Sequence, residues 1–240
     1  VGVHLFANTD EANLSNNSFT LRNASAISLP SPTTFDPERL TVIGNVISAW
    51  AKYTVFDLGA NHSIFSHNII NLFNGNSDVG GGGSSVALEI NNASNVTIYN
   101  NTIYANNSNK AVGISAGSNY MNFSSNNITF NTSNEDFAVQ FLGNHSIFAN
   151  NILLSQEGSG STVLSLGGSN NTIINNTFTD LNGFAIDING PAYNFIADNL
   201  INSTASSEGI AVACTDNCFN TTFSGNIIFG LGSSDGIVFG

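Results

Sequence analysis

One short phrase recurs nine times along this chain, and it constrains the fold more than any other feature. The phrase consists of an apolar residue, two variable residues, an asparagine, one variable residue and a second apolar residue. Successive phrase asparagines are 28, 23, 33, 25, 25, 25, 23 and 27 residues apart. They are Asn17, Asn45, Asn68, Asn101, Asn126, Asn151, Asn176, Asn199 and Asn226. Self-similarity at this period is typical of a solenoid, in which each copy buries its apolar face only by stacking on its neighbours.

The two apolar positions of the phrase are filled in every copy. Three residues before the asparagine lies Leu14, Val42, Phe65, Ile98, Phe123, Phe148, Ile173, Ile196 or Phe223. Two residues after it lies Phe19, Ile47, Ile70, Ile103, Ile128, Leu153, Phe178, Ile201 or Ile228. We therefore expect two apolar rows that stack continuously from coil to coil.

Three strand-like runs make up each repeat. Around each phrase asparagine, polar residues alternate with β-branched and aromatic ones, as in NVTIYNNTIY, and a third run such as VALEI or FAVQFL lies between phrases. Three short strands in about 25 residues, separated by Asn, Gly and Ser, predict a parallel β-helix of about nine coils. The repeat spans residues 1–240 without a linker, so we expect a single domain, and neither end of the sequence shows an evident cap.

We expect each phrase asparagine at a corner between two strands. Asparagine tolerates left-handed backbone geometry, and its amide can hydrogen-bond to the equivalent amide one coil away. The nine phrase asparagines are therefore predicted to form a structural ladder along the axis and to take no part in chemistry.

These repeats resemble those of the right-handed parallel β-helix proteins, a broad group with NosD-like and pectate-lyase-like members and many secreted or surface proteins of archaea and bacteria. The resemblance covers essentially the whole chain and implies an all-β, right-handed parallel β-helix. It implies little about function, because the same coils occur in lyases, epimerases, adhesins and scaffolds.

The charge of the chain argues against several partners. The formal net charge is −12, and the four basic residues are Arg22, Arg39, Lys52 and Lys110. A nucleic-acid binder needs a basic track to displace counterions, so we expect no nucleic-acid partner. No run approaches the roughly 18 apolar residues of a spanning helix, and we expect no membrane span.

Sixteen asparagines begin an Asn-X-Ser/Thr sequon, the acceptor motif for N-glycosylation. They are Asn13, Asn16, Asn23, Asn61, Asn92, Asn95, Asn100, Asn106, Asn122, Asn127, Asn131, Asn144, Asn170, Asn175, Asn202 and Asn220. None of the nine phrase asparagines is among them. Asn16, Asn100 and Asn175 come one residue before a phrase asparagine and Asn127 one residue after, while Asn61, Asn95, Asn122, Asn144, Asn170 and Asn220 lie at the turn expected before the phrase. We expect these side chains to face outward and to carry glycans.

A search for an active site finds no constellation of catalytic residues. The acids near the third run are Asp57, Glu89, Asp187 and Asp235, which belong to different coils; the last two are two coils apart, roughly 10 Å at the strand spacing. Lys52 and Arg39 are the only cations expected near acids. We therefore predict no catalytic site and no cofactor.

The histidines and the longest interval give no binding motif either. His62 and His145 occupy equivalent positions in ANHSIF and GNHSIF, but three coils separate them, about 14 Å along the axis, so they cannot share a metal ion. The glycine run in residues 78–85 lacks the lysine and the helix of a phosphate-binding loop and is expected to form an outward loop.

Cys214 and Cys218 lie in the turn-like stretch ACTDNC. We expect a disulfide that closes a small loop in an oxidising compartment. Two free thiols, or half of a metal site, are the alternatives.

Two classes of function are open to such a chain. The first is a non-enzymatic, N-glycosylated structural protein outside the cell, part of a filament, sheath or surface layer. Its partner would be a copy of itself stacked head to tail, or the neighbouring coils of a longer chain. The alternative is a carbohydrate-active or carbohydrate-binding β-helix, such as a lyase or an adhesin.

Overall fold

The computed structural model describes residues 3–4, 11–22, 27–28, 38–50, 54–73, 85–131, 137–156, 161–181, 183–190, 193–204, 210–214, 218–230 and 235–239. These residues form 28 strands and no helix. The sequon at Asn23, the lysine at position 52 and all of the glycine run except Ser85 lie outside the described residues.

The strands assemble into three parallel sheets, and each coil contributes one strand to each sheet. The chain is therefore an all-β parallel β-solenoid, as the three runs per repeat predict.

Sheet A contains the strands that lie between the phrases. Its ten strands are β1 Val3–His4, β4 Ile27–Ser28, β7 Phe56–Leu58, β10 Val86–Ile90, β13 Lys110–Ile114, β16 Phe137–Phe141, β19 Thr162–Leu166, β22 Phe184–Ile188, β25 Ile210–Cys214 and β28 Asp235–Phe239.

Sheet B contains the strands that precede each phrase asparagine. Its nine strands are β2 Asn13–Ser15, β5 Thr41–Ile43, β8 Ile64–Ser66, β11 Thr97–Tyr99, β14 Asn122–Ser124, β17 Ile147–Ala149, β20 Thr172–Ile174, β23 Phe195–Ala197 and β26 Thr222–Ser224.

Sheet C contains the strands that follow each phrase asparagine. Its nine strands are β3 Ser18–Arg22, β6 Val46–Trp50, β9 Ile69–Leu72, β12 Thr102–Asn106, β15 Asn127–Asn131, β18 Ile152–Ser155, β21 Thr177–Asp180, β24 Leu200–Ser203 and β27 Ile227–Gly230.

The strand register aligns the two apolar positions of the phrase from coil to coil. In sheet B, Ile98 pairs with Phe123 and Phe123 with Phe148; in sheet C, Ile103 pairs with Ile128. The Phe123 and Phe148 rings stack with centroids 4.7 Å apart and planes 4° from parallel. Between Leu40 and Val212 these positions form one continuous buried core. The two predicted apolar rows are confirmed.

The solenoid contains about seven turns rather than the nine predicted from nine phrases. The first and last phrases do form strands in sheets B and C. Their asparagines, Asn17 and Asn226, are only half-buried, because each has a neighbouring coil on one side alone. The fully packed turns are those between them.

The corner between sheets B and C differs from the prediction in one respect. The left-handed residue is not the phrase asparagine but the residue immediately before it, with φ from 54° to 69° across the coils. That row is Asn16, Gly44, His67, Asn100, Ser125, Asn150, Asn175, Asp198 and Gly225. Most of these are Asn, Asp or Gly, the residues that adopt this conformation at least cost. One left-handed residue turns the chain sharply, so that the asparagine after it points inward.

A second left-handed corner, which the sequence analysis did not predict, precedes sheet B. It falls six residues before the phrase asparagine in every coil. Its members are Glu11, Arg39, His62, Asn95, Tyr120, His145, Asn170, Tyr193 and Asn220. The two corners together fix the direction of the sheet B strand in every coil.

Candidate functional site

The phrase asparagines form a hydrogen-bonded ladder through the corner between sheets B and C. The backbone N–H of Asn126 donates to Oδ1 of Asn151 at 2.8 Å, and Nδ2 of Asn126 donates to the same oxygen at 3.1 Å. Nδ2 also donates to the carbonyl oxygen of Ile98 in the preceding coil at 3.0 Å. The same two bonds to the next asparagine join every successive pair from Asn17 to Asn226.

Burial makes this ladder a structural requirement. The seven inner asparagines, Asn45, Asn68, Asn101, Asn126, Asn151, Asn176 and Asn199, are at most 1% exposed. A buried amide with unmade hydrogen bonds is costly, and here each inner amide is bonded to the coils on both sides of it. These side chains have no contact with solvent and are unavailable for chemistry.

The sequon asparagines occupy a different part of the coil. Of the fifteen that the structure describes, ten are exposed: Asn13, Asn16, Asn92, Asn95, Asn100, Asn122, Asn127, Asn170, Asn175 and Asn220. The other five, Asn61, Asn106, Asn131, Asn144 and Asn202, are half-exposed. None of the fifteen is buried.

Several exposed sequons lie at the two left-handed corners of the coil. Asn16, Asn100 and Asn175 lie at the corner before sheet C, and Asn95, Asn170 and Asn220 lie at the corner before sheet B. The expectation that Asn122 lies at a turn is wrong, since it begins strand β14 with its side chain exposed.

Two half-exposed sequon side chains take part in bonds between coils. Oδ1 of Asn144 accepts from the backbone N–H of Ser169 at 2.8 Å, and its Nδ2 donates to Oδ1 of Asn119 at 3.2 Å. Oδ1 of Asn61 accepts from the backbone N–H of Ser94 at 2.7 Å. N-glycosylation replaces one hydrogen of Nδ2. Among the described sequons, the Nδ2 of Asn144 makes the shortest such bond, compared with 3.4 Å for Asn95 to His62 and for Asn170 to Ser169, so its bonding competes most directly with a glycan.

The sequence analysis missed a shorter polar row at the second corner. Oδ1 of Asn194 accepts from the backbone N–H of Asn171, and Oδ1 of Asn171 accepts from that of Ser146, at 2.9 and 3.0 Å. All three side chains are buried. Each lies five residues before a phrase asparagine, and a search for Ser or Asn at that fixed position would have found the row.

The two cysteines form a disulfide. Cys214 ends strand β25 and is 4% exposed, and the Cα atoms of Cys214 and Cys218 are 6.0 Å apart. The bond closes the short segment that leaves sheet A. The alternatives of free thiols and of half a metal site are therefore wrong.

Two carboxylates come together on the outer face of sheet A. Asp57 and Glu89 are in direct register on neighbouring strands β7 and β10. Nδ2 of Asn91 donates to Asp57 Oδ1 at 2.9 Å, and the Glu89 carboxylate lies against the backbone of Gly113 in the next coil. Without a side chain at position 113, there is room for Glu89 to fold onto the sheet.

Burial raises the pKa of both acids. For Asp57 the hydrogen bond from Asn91 partly offsets the effect of burial on the pKa. For Glu89 the positive charge of Lys110 partly lowers the pKa, and the negative charge of Asp57 raises it further. The acids that were expected to be scattered thus include one adjacent, partly desolvated pair.

The cation beside this pair was not the one expected. Lys110, at the start of β13, interacts with Glu89. Arg39 instead forms an exposed ion pair with Glu11, with Nη2 and Oε1 3.1 Å apart. Asp187 and Asp235 lie in different rows of sheet A, because Asp187 pairs with Ala213 and Asp235 pairs with Ile210.

The histidines lie at the second corner, far from the acidic pair. Both His62 and His145 are exposed; the His145 ring stacks on Tyr120 with centroids 5.5 Å apart, and Nε2 of His62 is 3.4 Å from Nδ2 of Asn95. Within the described part of the chain, no three His, Cys, Asp or Glu side chains are grouped closely enough to hold a metal ion.

Comparisons with models of protein families, with curated proteins and with solved structures found no match to this chain. Among the residues described, there is also no helix of the length and hydropathy needed to cross a membrane.

Asn126 and Asn127 offer a matched test of the ladder. Asn126→Ala leaves the N–H and Nδ2 donors of Asn101 without their buried acceptor, and each such loss costs about 1–3 kcal/mol. We expect a total loss of about 2–6 kcal/mol in the free energy of unfolding. Asn127→Ala, at an exposed position, should change it by less than about 0.5 kcal/mol. Urea unfolding of the non-glycosylated protein measures both; equal effects would contradict the ladder's role.

The acidic pair predicts a specific dependence of stability on pH. Since burial raises the pKa of Glu89 and Asp57 in the folded protein, the folded state binds protons at a higher pH than the unfolded chain. The contribution of the pair to the free energy of unfolding therefore rises as the pH falls from neutral through the folded-state pKa. This gain is complete below the ordinary values of 4.5 and 3.8.

Glu89→Gln should raise the free energy of unfolding at neutral pH, because it removes a partly buried charge, and should reduce the gain on acidification. Gln140→Ala, at a neutral half-buried position in the same outward row, should keep the wild-type pH dependence. Urea unfolding between neutral pH and pH 4 measures the pH dependence of the free energy of unfolding in each variant. An unchanged pH dependence in Glu89→Gln would contradict the account of the pair.

Proposed function

We propose that this chain is a non-enzymatic, N-glycosylated structural protein outside the cell, a rod that builds a filament, sheath or surface layer. One observation carries the proposal. The asparagines divide into a buried ladder that runs along the axis and a set of sequons of which no described member is buried. The first set gives a rigid rod, and the second offers sites for a dense coat of sugar.

The surface chemistry supports a role outside the cell. Only 8% of the residues are charged, so solubility depends mainly on uncharged polar side chains and on whatever is attached to them. The disulfide between Cys214 and Cys218 is of the kind that persists in an oxidising compartment. The resemblance of the repeats to secreted and surface β-helix proteins agrees with this location.

The ends of the ladder support stacking on a further coil. Oδ1 of Asn17 accepts no hydrogen bond from a described residue, and the backbone N–H of Asn226 donates to none. Inside the solenoid, the backbone N–H of each ladder asparagine donates to Oδ1 of the next one. A coil placed on either end, from a second copy or from a longer chain, would therefore extend the ladder with the same bonds.

The acidic pair favours the second candidate, a carbohydrate-active β-helix. Asp57 and Glu89 are adjacent, partly desolvated and face outward, as a catalytic pair would be. An activity on polysaccharides that is lost in Glu89→Gln would favour this class over the structural one.

Glycopeptide mapping of the native protein tests the leading proposal. We expect glycans at the exposed sequons, with Asn100 and Asn175 occupied because their side chains are exposed at a corner. Asn144 should be the least occupied, since its Nδ2 already donates to Asn119. Bare asparagines at all sequons would refute the proposal, and high occupancy at Asn144 would contradict the packing argument for that site.

A further inference from the structure

The outer face of sheet C has a row of aromatic rings that the structural role does not explain. Trp50 and Phe73 lie five residues after successive ladder asparagines, and their ring centroids are 5.1 Å apart. The Phe73 ring is also 6.2 Å from that of Tyr104 in the next coil. At the other end of the row, the Arg22 guanidinium carbon is 5.9 Å from the centroid of the Trp50 ring. Trp50 remains 38% exposed.

The same row continues with two sequon asparagines. Asn106 and Asn131 occupy the position five residues after the ladder asparagine in the next two coils and are in direct register. Asn106 follows Ala105, which pairs with Leu72, so it lies beside Phe73 at the strand spacing of about 4.8 Å. Tyr104 precedes Asn106 by two residues on the same face of β12, about 7 Å away.

The surroundings of Asn106 define the direction that a glycan would take. Its side chain is half-exposed and makes no hydrogen bond with any described residue. On one side lies Asn131, a second sequon whose own glycan would crowd it at about 4.8 Å. On the other side lie the rings of Phe73 and then Trp50. A glycan on Asn106 that leans towards the rings moves away from its neighbour and onto apolar surface.

We propose that the first sugar attached to Asn106 stacks on Phe73 and Tyr104, and that the glycan continues over Trp50. The aromatic row is then an internal binding surface for the protein's own carbohydrate. The negative face of an aromatic ring attracts the polarised C–H groups of a pyranose, and the contact removes apolar ring surface from water. This inference rests on the proposed glycosylation.

Fluorescence tests the contact directly, because Trp50 is the only tryptophan in the chain. We compare acrylamide quenching of the natively glycosylated protein with that of Asn106→Gln and of Ser108→Ala, which both abolish this sequon. The Stern–Volmer constant should rise by about twofold in both, because loss of the glycan re-exposes the part of the Trp50 ring that Phe73 and Arg22 leave uncovered. Asn175→Gln, which removes a sequon at a distant corner, is the control and should leave quenching unchanged.

Glycopeptide mapping of the same samples separates the possible failures. If Asn106 carries a glycan and quenching is the same in all variants, the stacking is refuted while the proposed function is unaffected. If Asn106 is bare while other sequons are occupied, the stacking alone is also refuted. If every sequon is bare, the proposed function and the stacking both fail. If the Stern–Volmer constant of Asn106→Gln falls only when free polysaccharide is added, the aromatic row binds an external ligand instead.

Discussion

The structure depends on one repeated hydrogen bond, the donation from one asparagine to Oδ1 of the next asparagine along the axis. Each inner amide accepts two hydrogen bonds from one neighbouring coil and donates to both neighbours, and its burial leaves no water to replace a lost partner. Because the amide of each ladder asparagine must reach the next coil, it fixes the register of the coils. The left-handed residue before each ladder asparagine fixes the corner between sheets B and C. The apolar rows of sheets B and C then stack because the same register aligns them.

This constraint also explains why the asparagines divide into two populations. A sequon needs Ser or Thr two residues after the asparagine, and in every phrase that position is an apolar residue facing the core. A ladder asparagine therefore cannot be a sequon while the core is intact. The neighbouring positions, such as Asn100 before Asn101 and Asn127 after Asn126, are not restricted in this way and face outward.

The features that repeat with fixed spacing could be predicted from sequence, and those that depend on neighbouring coils could not. The phrase predicts the apolar rows, the three sheets and the disposition of Asn126 and Asn151, because each follows from local alternation. The pairing of Asp57 with Glu89 spans the 33-residue interval between Asn68 and Asn101, and the extra length of this interval conceals the register of the two strands in the sequence. The aromatic row depends likewise on side chains from successive coils: Trp50 and Phe73 share the position five residues after a phrase asparagine, but Tyr104 lies three residues after one.

The most direct measurement of the central claim is a cryo-electron microscopy map of the assembly purified from its native source. The account predicts rods whose rungs continue from copy to copy at the strand spacing of about 4.8 Å, with density for sugar on exposed sequons such as Asn100 and Asn175. The ladder asparagines next to them, Asn101 and Asn176, should carry none. Isolated rods with bare surfaces, or rungs interrupted at every junction between copies, would contradict it.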